Sequence, residues 1–294
     1  MTLLKSCLID VLKPEEGVFP YYEMFLSRYS LITVTAIISQ CSLYPDTYIG
    51  MTEADIDNEI DTAIEELPAE SERKRKIYRT LNLAMHIDPG VLIQENEERT
   101  FASELFIRDA KKHSLSNREL ILRGLNSSAF INYFFLIEDV LKTMYIDLAN
   151  PKNKFIKGSE TINVCLKNII SVMGISDSFE KELHERSKFF FDMKSLELLW
   201  DILNMIRNQI AHSNGYYDAK AKRSLHRRVE KLAKYFTDND GCILSISMII
   251  DAFDKYEMQV NNTNYLIVDD ILENIIRSTS IFIMESLYVC NRKI

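Results

Sequence analysis

A short polar run inside an apolar helical pattern contains the residues best suited to chemistry. Arg207, Asn208 and His212 lie at the end of a segment whose Leu and Ile residues recur every three or four positions. Asn208 and His212 are four residues apart, so they share one face of a helix. A guanidinium offers a planar fork of donors that matches phosphate oxygens, and an imidazole transfers protons near neutral pH. These residue types predict acid–base chemistry at a phosphate.

Each of these residues, taken alone, also has an ordinary structural explanation. A protonated histidine in the last turn stabilises a helix through the helix dipole. An arginine beside an apolar stripe commonly buries its stem and extends its charge to solvent. The combination of a cation, an amide and an imidazole near one helix end is therefore what supports a functional interpretation.

Long amphipathic helices are the elements that must position these side chains. Apolar residues at spacings of four and three run from Phe130 to Leu148 and predict one long helix that ends at Asn150-Pro151. Ser159 is expected to cap a second helix, which Gly174 ends. The other predicted helices begin near residue 177 or cover residues 196–213, 218–236, 242–258 and 266–289.

The composition favours an all-α fold. Eight Gly and six Pro among 294 residues are too few for the many tight turns of a strand-rich protein. Short connections between helices with apolar stripes predict an up-and-down bundle. We expect this bundle over residues 113–294, preceded by an additional helical region of unknown role over residues 1–112.

Charge is distributed unevenly along the chain. The net charge is −8, yet residues 186–236 carry eleven basic and five acidic residues. A locally basic segment in an acidic protein is expected where a polyanion meets the surface. A solvated helix face is the alternative explanation of such a segment.

Cysteine usage and hydropathy bear on location. The five cysteines are scattered singly, which predicts a reducing compartment without a disulfide framework or a zinc site. The longest run without charge, residues 29–45, is shorter than the about 20 apolar residues that span a membrane. No basic segment precedes a hydrophobic stretch at the N-terminus, so no signal peptide is expected. These features predict a cytoplasmic protein that does not enter a membrane.

The run RNQIAH, Arg207 to His212, resembles the Arg-polar-x-x-x-His motif of the HEPN superfamily, whose members are helical bundles and many of which are ribonucleases. The predicted helix before it is similar to the helix that precedes the motif in that family, with Glu138 at a similar acidic position. The resemblance covers about residues 117–240. It implies a HEPN-like bundle and a metal-independent endoribonuclease in which Arg207, Asn208 and His212 are catalytic and Glu138 supports them.

The implied chemistry needs neither a metal nor a cofactor. The RNA supplies its own nucleophile, the 2′-hydroxyl, and cleavage leaves a 2′,3′-cyclic phosphate. His212 would move a proton as general base or acid. Arg207 would stabilise the charge that develops on the phosphorane. Asn208 would orient the imidazole or bind a ribose hydroxyl.

One arginine and one histidine supply half of an acid–base pair. The resemblance implies a two-fold homodimer in which both motifs face one cleft. Its rim is expected to bind the RNA backbone through a set of cations, Lys220, Lys222, Arg223, Arg227 and Arg228. The resemblance also suggests a toxin or an antiviral (abortive infection) defence role, with an antitoxin or regulatory partner.

Other interpretations stay open at this point. A non-catalytic HEPN-like module that binds RNA or protein predicts that Arg207 and His212 are both buried. Alternatively, the acidic residues 1–112 could shield the basic segment of a nuclease. Asp192-Met193-Lys194 and Asp218-Ala219-Lys220 each echo the tail of a metal-dependent nuclease motif, but that motif needs strands to present its carboxylates.

Overall fold

The computed structural model describes residues 11–41, 43, 52–84, 102–112, 115–149, 151, 155–213, 218–239 and 268–292. No strand occurs in these ranges, so the predicted all-α fold is confirmed. The predicted helix over 242–258 lies outside the described residues. The described α-helices are α1 (Pro20–Cys41), α2 (Glu53–Ala84), α3 (Ala102–Lys112), α4 (Asn117–Ala149), α5 (Lys167–Val172), α6 (Ser176–Ser187), α7 (Met193–Ser213), α8 (Ala219–Asp238) and α9 (Asp270–Arg292).

Contacts between residues divide the chain into two compact units. The first contains Met1–Ser39 and Arg123–Ile294, and the second contains Gln40–Leu122. The sequence analysis grouped all of residues 1–112 as one N-terminal region, whereas contacts place most of α1 in the first unit. There Tyr22 of α1 stacks on a tyrosine of α9, with ring centroids 4.5 Å apart. That the acidic residues 1–112 shield the basic segment stays one of the open alternatives.

The second unit contains α2, α3 and the start of α4. Arg118 is buried there, and its Nε lies 2.8 Å from Asp57 Oδ1. Its Nη2 lies 3.4 Å from Glu53 Oε2. These contacts join the first residues of α4 to α2 within this unit.

Most of helix α4 belongs to the first unit and contributes to its core. Phe130, Phe134, Ile137, Leu141 and Met144 are fully buried, as their spacing predicts. Among the described helices, α4 alone has the length and hydropathy of a membrane span. Since these residues are also part of one continuous core cluster, the apolar pattern is accounted for by packing within the protein.

The helical segment after α4 begins earlier than expected. The expectation that Ser159 caps it is wrong, because Lys157 occupies the N-cap position and its N–H donates to Glu160 Oε2 at 2.8 Å. A 3₁₀ turn (Gly158–Glu160) and a π-helix (Thr161–Leu166) precede α5. Gly174 ends the segment with φ +67°, as predicted, because a left-handed residue closes the last turn without steric cost.

Helices α7 and α8 begin at aspartate caps. Asp192 Oδ1 accepts from Ser195 N–H at 2.8 Å at the start of α7. Asp218 Oδ1 accepts from Ala221 N–H at 2.7 Å at the start of α8. Each carboxylate satisfies an amide that has no partner within its helix. Both aspartates therefore serve helix ends.

Helices α7 and α8 pack antiparallel. Tyr235 Oη donates to Asp192 Oδ2 at 2.6 Å, and Arg228 Nε lies 2.8 Å from Asp201 Oδ2. As the residue number rises along α7, the number of its partner on α8 falls. The start of α8 consequently lies beside the end of α7, where the polar motif is located.

Candidate functional site

Helix α7 positions the motif through its buried side. Leu196, Leu199, Leu203 and Ile206 are buried, and the helix ends at Ser213 as predicted. The next residue after this stripe is Arg207, whose side chain is directed into the bundle. Only 9% of Arg207 is exposed, so its charge must be compensated from within the fold.

Glu138 of α4 compensates the charge of Arg207. Arg207 Nη2 donates to Glu138 Oε2 at 2.9 Å, and Arg207 Nη1 donates to Asn208 Oδ1 at 2.8 Å. The other oxygen of Glu138 accepts from the ammonium group of Lys142, one turn further along α4. Glu138 is thus shared between two cations, and its supporting role in catalysis stays a prediction.

Aromatic rings of α4 also contact the guanidinium. Its carbon lies 4.7 Å from the ring centroid of Phe134 and 5.4 Å from that of Phe135. Phe134 in turn stacks on Trp200 of α7, with centroids 4.4 Å apart. These cation–π contacts fix the plane of the guanidinium in addition to the ion pair.

Gly158 is a member of this cluster that the sequence analysis did not single out. A Cβ atom at Gly158 would lie 2.1 Å from Arg207 Nη2 and 3.0 Å from Asn204 Oδ1. The Gly158 carbonyl accepts from Trp200 Nε1 at 3.0 Å, which holds the glycine in place. The local sequence around Gly158 does not reveal this role, because the glycine lies against Arg207, about fifty positions later in the chain.

The guanidinium retains hydrogen-bonding capacity. A guanidinium has five N–H donors, of which two are used by Glu138 and Asn208. Arg207 Nε is buried without a hydrogen bond in the described part of the chain, and so is the nearby Asn204 Oδ1. The site therefore presents a fixed cation with unused donors.

His212 is placed differently from Arg207. It is exposed in the last turn of α7, and no hydrogen bond or ion pair joins it to another described residue. Asn208 is half-buried one turn earlier, but its amide oxygen accepts from Arg207. The described structure thus joins Arg207, Asn208 and Glu138, and it leaves His212 open to solvent.

A groove between α1 and α4 reaches Arg207. It has a volume of about 760 Å³, within the about 300–1,000 Å³ that small-molecule sites occupy. The helices are antiparallel here, since Arg28 pairs with Asp139 at 2.7 Å and Thr33 with Tyr133 at 2.8 Å. The groove is lined chiefly by Leu31, Ala36, Ser128, Asn132 and Phe135, with Glu138, Lys142 and Arg207 among its charged residues.

The five basic residues predicted on α8 fall into two groups. Lys220, Arg223 and Arg227 are exposed, whereas Lys222 and Arg228 are half-buried. Arg228 pairs with Asp201 of α7, so it contributes to helix packing. The first three are on the face of α8 opposite its buried residues, and none of them lines the groove at Arg207.

A cysteine nucleophile and a bound metal ion are two other possible sources of chemistry in this protein. Burial raises the pKa of Cys165 to about 11, so its thiol stays protonated at neutral pH and is a poor nucleophile. Among the described residues, no group of three or more His, Cys, Asp or Glu side chains is arranged to hold a metal ion.

Comparison with protein-family models, with curated proteins and with solved structures finds no match for this chain. The resemblance to the HEPN superfamily accordingly depends on the residues of the motif and on their helical setting. Function must be argued from the site itself.

Proposed function

We propose that this protein is a metal-independent endoribonuclease of the HEPN type. Cleavage would follow from attack of the RNA 2′-hydroxyl on the adjacent phosphate. A 2′,3′-cyclic phosphate and a new 5′-hydroxyl would form as the P–O5′ bond breaks. One group takes the proton of the 2′-hydroxyl and another donates a proton to the leaving oxygen.

The exposure of His212 is the observation that carries this proposal. An exposed imidazole without a partner among the described residues is accessible to a phosphodiester. Arg207 lies at the wall of the groove, and Nη1 and Nη2 each keep one N–H without a partner among the described residues, so it can bind a phosphate oxygen while it keeps Glu138. Asn208 then acts as a positioning residue that holds the guanidinium.

A second copy of the chain completes the acid–base pair in this proposal. Each chain supplies one motif histidine, whereas the reaction needs a base and an acid. A two-fold dimer would place the second His212 opposite the first. Sedimentation of the purified protein as a dimer, with loss of cleavage in a monomeric fraction, is the expected result.

A non-catalytic helical module is the second candidate, and a specific observation favours it. Arg207 is buried, ion-paired within one chain and packed against Gly158, which suits a structural cation. That candidate also predicts a buried His212, and the imidazole is exposed. The arginine thus supports the second candidate and the histidine supports the first.

Substitution of His212 tests the two candidates directly. His212→Ala should abolish cleavage of RNA in EDTA and leave the unfolding midpoint unchanged, since the imidazole has no partner among the described residues. The matched control is His226→Ala, an exposed helical histidine outside the motif. A substrate with a 2′-deoxyribose at the cleaved position should resist cleavage by the wild type and by His226→Ala, since it lacks the 2′-hydroxyl nucleophile. Equal cleavage by wild type and His212→Ala would remove the histidine from the mechanism.

The toxin or defence role is an extension of this proposal. Cells that express the wild-type chain should stop growing, whereas cells that express His212→Ala should grow normally. An antitoxin or regulatory partner would be a protein whose co-expression restores growth with the wild-type chain. Deleting residues 1–112 would not isolate a regulatory region, because α1 packs within the unit that carries the motif.

A further inference from the structure

The outer face of α8 carries a row of cations at helical spacing. Its members, separated by three, four, four and three residues, are Lys220, Arg223, Arg227, Lys231 and Lys234, and all five are exposed. With about 3.6 residues per turn they fall within an arc of about 80°. At about 1.5 Å per residue the row is about 21 Å long. We call this set the basic stripe; Lys231 and Lys234 were absent from the predicted RNA-binding set.

No carboxylate in the described part of the chain neutralises the basic stripe. None of its five side chains forms an ion pair or a hydrogen bond there. The other basic side chains of α8 differ, because Arg228 pairs with Asp201 and His226 contacts Glu230 at 3.0 Å. Five like charges on one face raise the energy of the free protein slightly and favour a polyanion.

The apolar face of α8 distinguishes between two kinds of polyanion. Leu225, Leu232 and Phe236 are buried in the core of the first unit, on the side opposite the basic stripe. A basic amphipathic helix that lies in a membrane inserts its apolar face between the lipids. That face is already occupied here, so only charge is available for binding. Nucleic acid, whose backbone charges are regularly spaced along a strand, matches a row of cations that binds through charge alone.

The position of the basic stripe relates it to the motif. Lys220 begins the stripe at the end of α8 that lies beside the end of α7 and His212. The stripe then leads away from the motif. Asp201 is the residue of α7 that contacts Arg228 of α8. Arg207 follows it by six residues, so the two side chains are about 120° apart around α7. Helix α8 therefore contacts a different side of α7 from the one that carries Arg207, and no residue of α8 lines the groove at Arg207.

We propose that the basic stripe binds the phosphate backbone of RNA outside the groove at Arg207, without regard to sequence. This inference rests on the proposed function for the identity of the nucleic acid. It specifies the substrate class as RNA long enough to extend from the motif along α8. A dinucleotide would reach His212 but gain nothing from the stripe.

Salt dependence tests the proposal. The probe is a fluorescent 20-nucleotide 2′-O-methyl uridine strand, which the wild-type protein cannot cleave. Five phosphate contacts on a single strand should give a slope of log K against log salt of about −3.5. Affinity should then fall roughly a hundredfold between 50 and 200 mM salt. Arg223→Gln/Arg227→Gln should lower the magnitude of the slope to about 2, as measured by fluorescence anisotropy.

The matched control is Lys111→Gln/Lys181→Gln, which removes the same charge from exposed positions on α3 and α6, off the stripe. It should retain the slope of about −3.5, and circular dichroism should show native helix content in both variants. Equal slopes in the two double variants, or a wild-type slope near zero, would overturn the proposal. Tighter binding to phosphatidylserine vesicles than to the RNA probe would overturn it in favour of a membrane.

The two proposals fail in different ways. Stripe-dependent binding together with unchanged cleavage by His212→Ala would keep the docking surface and remove the nuclease. If cleavage needs His212 but the two double variants bind the probe with equal salt slopes, the nuclease is kept and the basic stripe is removed as a binding surface. If both hold, Arg223→Gln/Arg227→Gln should slow cleavage of a 20-nucleotide RNA and leave cleavage of a dinucleotide unchanged.

Discussion

Two cationic regions of this molecule are built in opposite ways. Arg207 is buried, shares a carboxylate with Lys142 and lies against two aromatic rings. The basic stripe of α8 is exposed, and its charges have no partner among the described residues. A buried cation must be compensated by the fold, whereas exposed cations are solvated and available to a ligand. The comparison teaches that Arg207 should matter to stability in addition to its proposed role in cleavage, whereas the stripe should matter to binding and hardly to stability.

The largest expected effect is on stability at the buried cation. Arg207→Ala leaves Glu138 in the core with one cation fewer, so the free energy of unfolding should fall by about 3–5 kcal/mol. Urea unfolding measures this change. The control is Arg28→Ala, whose pair with Asp139 is exposed and should contribute about 0–1 kcal/mol. Similar losses in the two variants would contradict the distinction between buried and exposed pairs.

The buried pair of Glu273 and Arg277 should make the stability of the protein depend on pH. Arg277 Nε lies 3.4 Å from Glu273 Oε1, both residues are 1% exposed, and Glu273 Oε2 has no hydrogen bond within the described residues. Burial raises the pKa of Glu273 to about 7, because the attraction of Arg277 does not offset desolvation. The folded state thus binds this proton more tightly than the unfolded state. Stability should fall as pH rises from about 4.5 to about 7, by at most about 3 kcal/mol.

Glu273→Gln provides the control for this pH dependence. The amide resembles the protonated acid and does not titrate, so the decline between pH 4.5 and 7 should become flatter by the same amount. Thermal unfolding measured at half-unit pH steps compares the two proteins. A decline of the same size in the variant would assign the pH dependence to other groups.

A side chain added at Gly158, against the buried guanidinium, should have an intermediate effect on the free energy of unfolding. Gly158→Ala must displace Arg207 Nη2, which would lie 2.1 Å from the new Cβ, so stability should fall by about 1–3 kcal/mol. Gly124→Ala is the matched control, since nothing lies within 4 Å of a Cβ there. That substitution lies within α4 and should stabilise the protein by about 0.5–1 kcal/mol. Stabilisation by both alanines would show that the guanidinium moves freely.

The smallest effect on stability is expected at the basic stripe. Arg223→Gln/Arg227→Gln should change the free energy of unfolding by less than about 0.5 kcal/mol per substitution, because neither side chain has a partner to lose in the described structure. The same urea titration measures it. A loss comparable to that of Arg207→Ala would mean that the stripe packs against the protein.

Much of the helical architecture follows from local sequence. Spacings of three and four predicted the buried faces of α4 and α7, and Gly174 marked a helix end. The start of the helical segment at Lys157 was missed, because Glu160 rather than Ser159 satisfies the first amide. The basic stripe could have been found by the same helical period, which separates Lys231 and Lys234 from Lys222 and Arg228. Counting charge along the segment concealed that separation.

The sequence by itself determined the helices, the apolar face of each and the presence of a cation, an amide and an imidazole at the end of α7, because these depend on contacts a few residues apart. Only the tertiary structure decided that Arg207 turns inward to Glu138, that Gly158 must lack a side chain, and that His212 stays exposed. Those outcomes depend on helices distant in sequence. A buried charge takes the orientation in which the rest of the fold can compensate it.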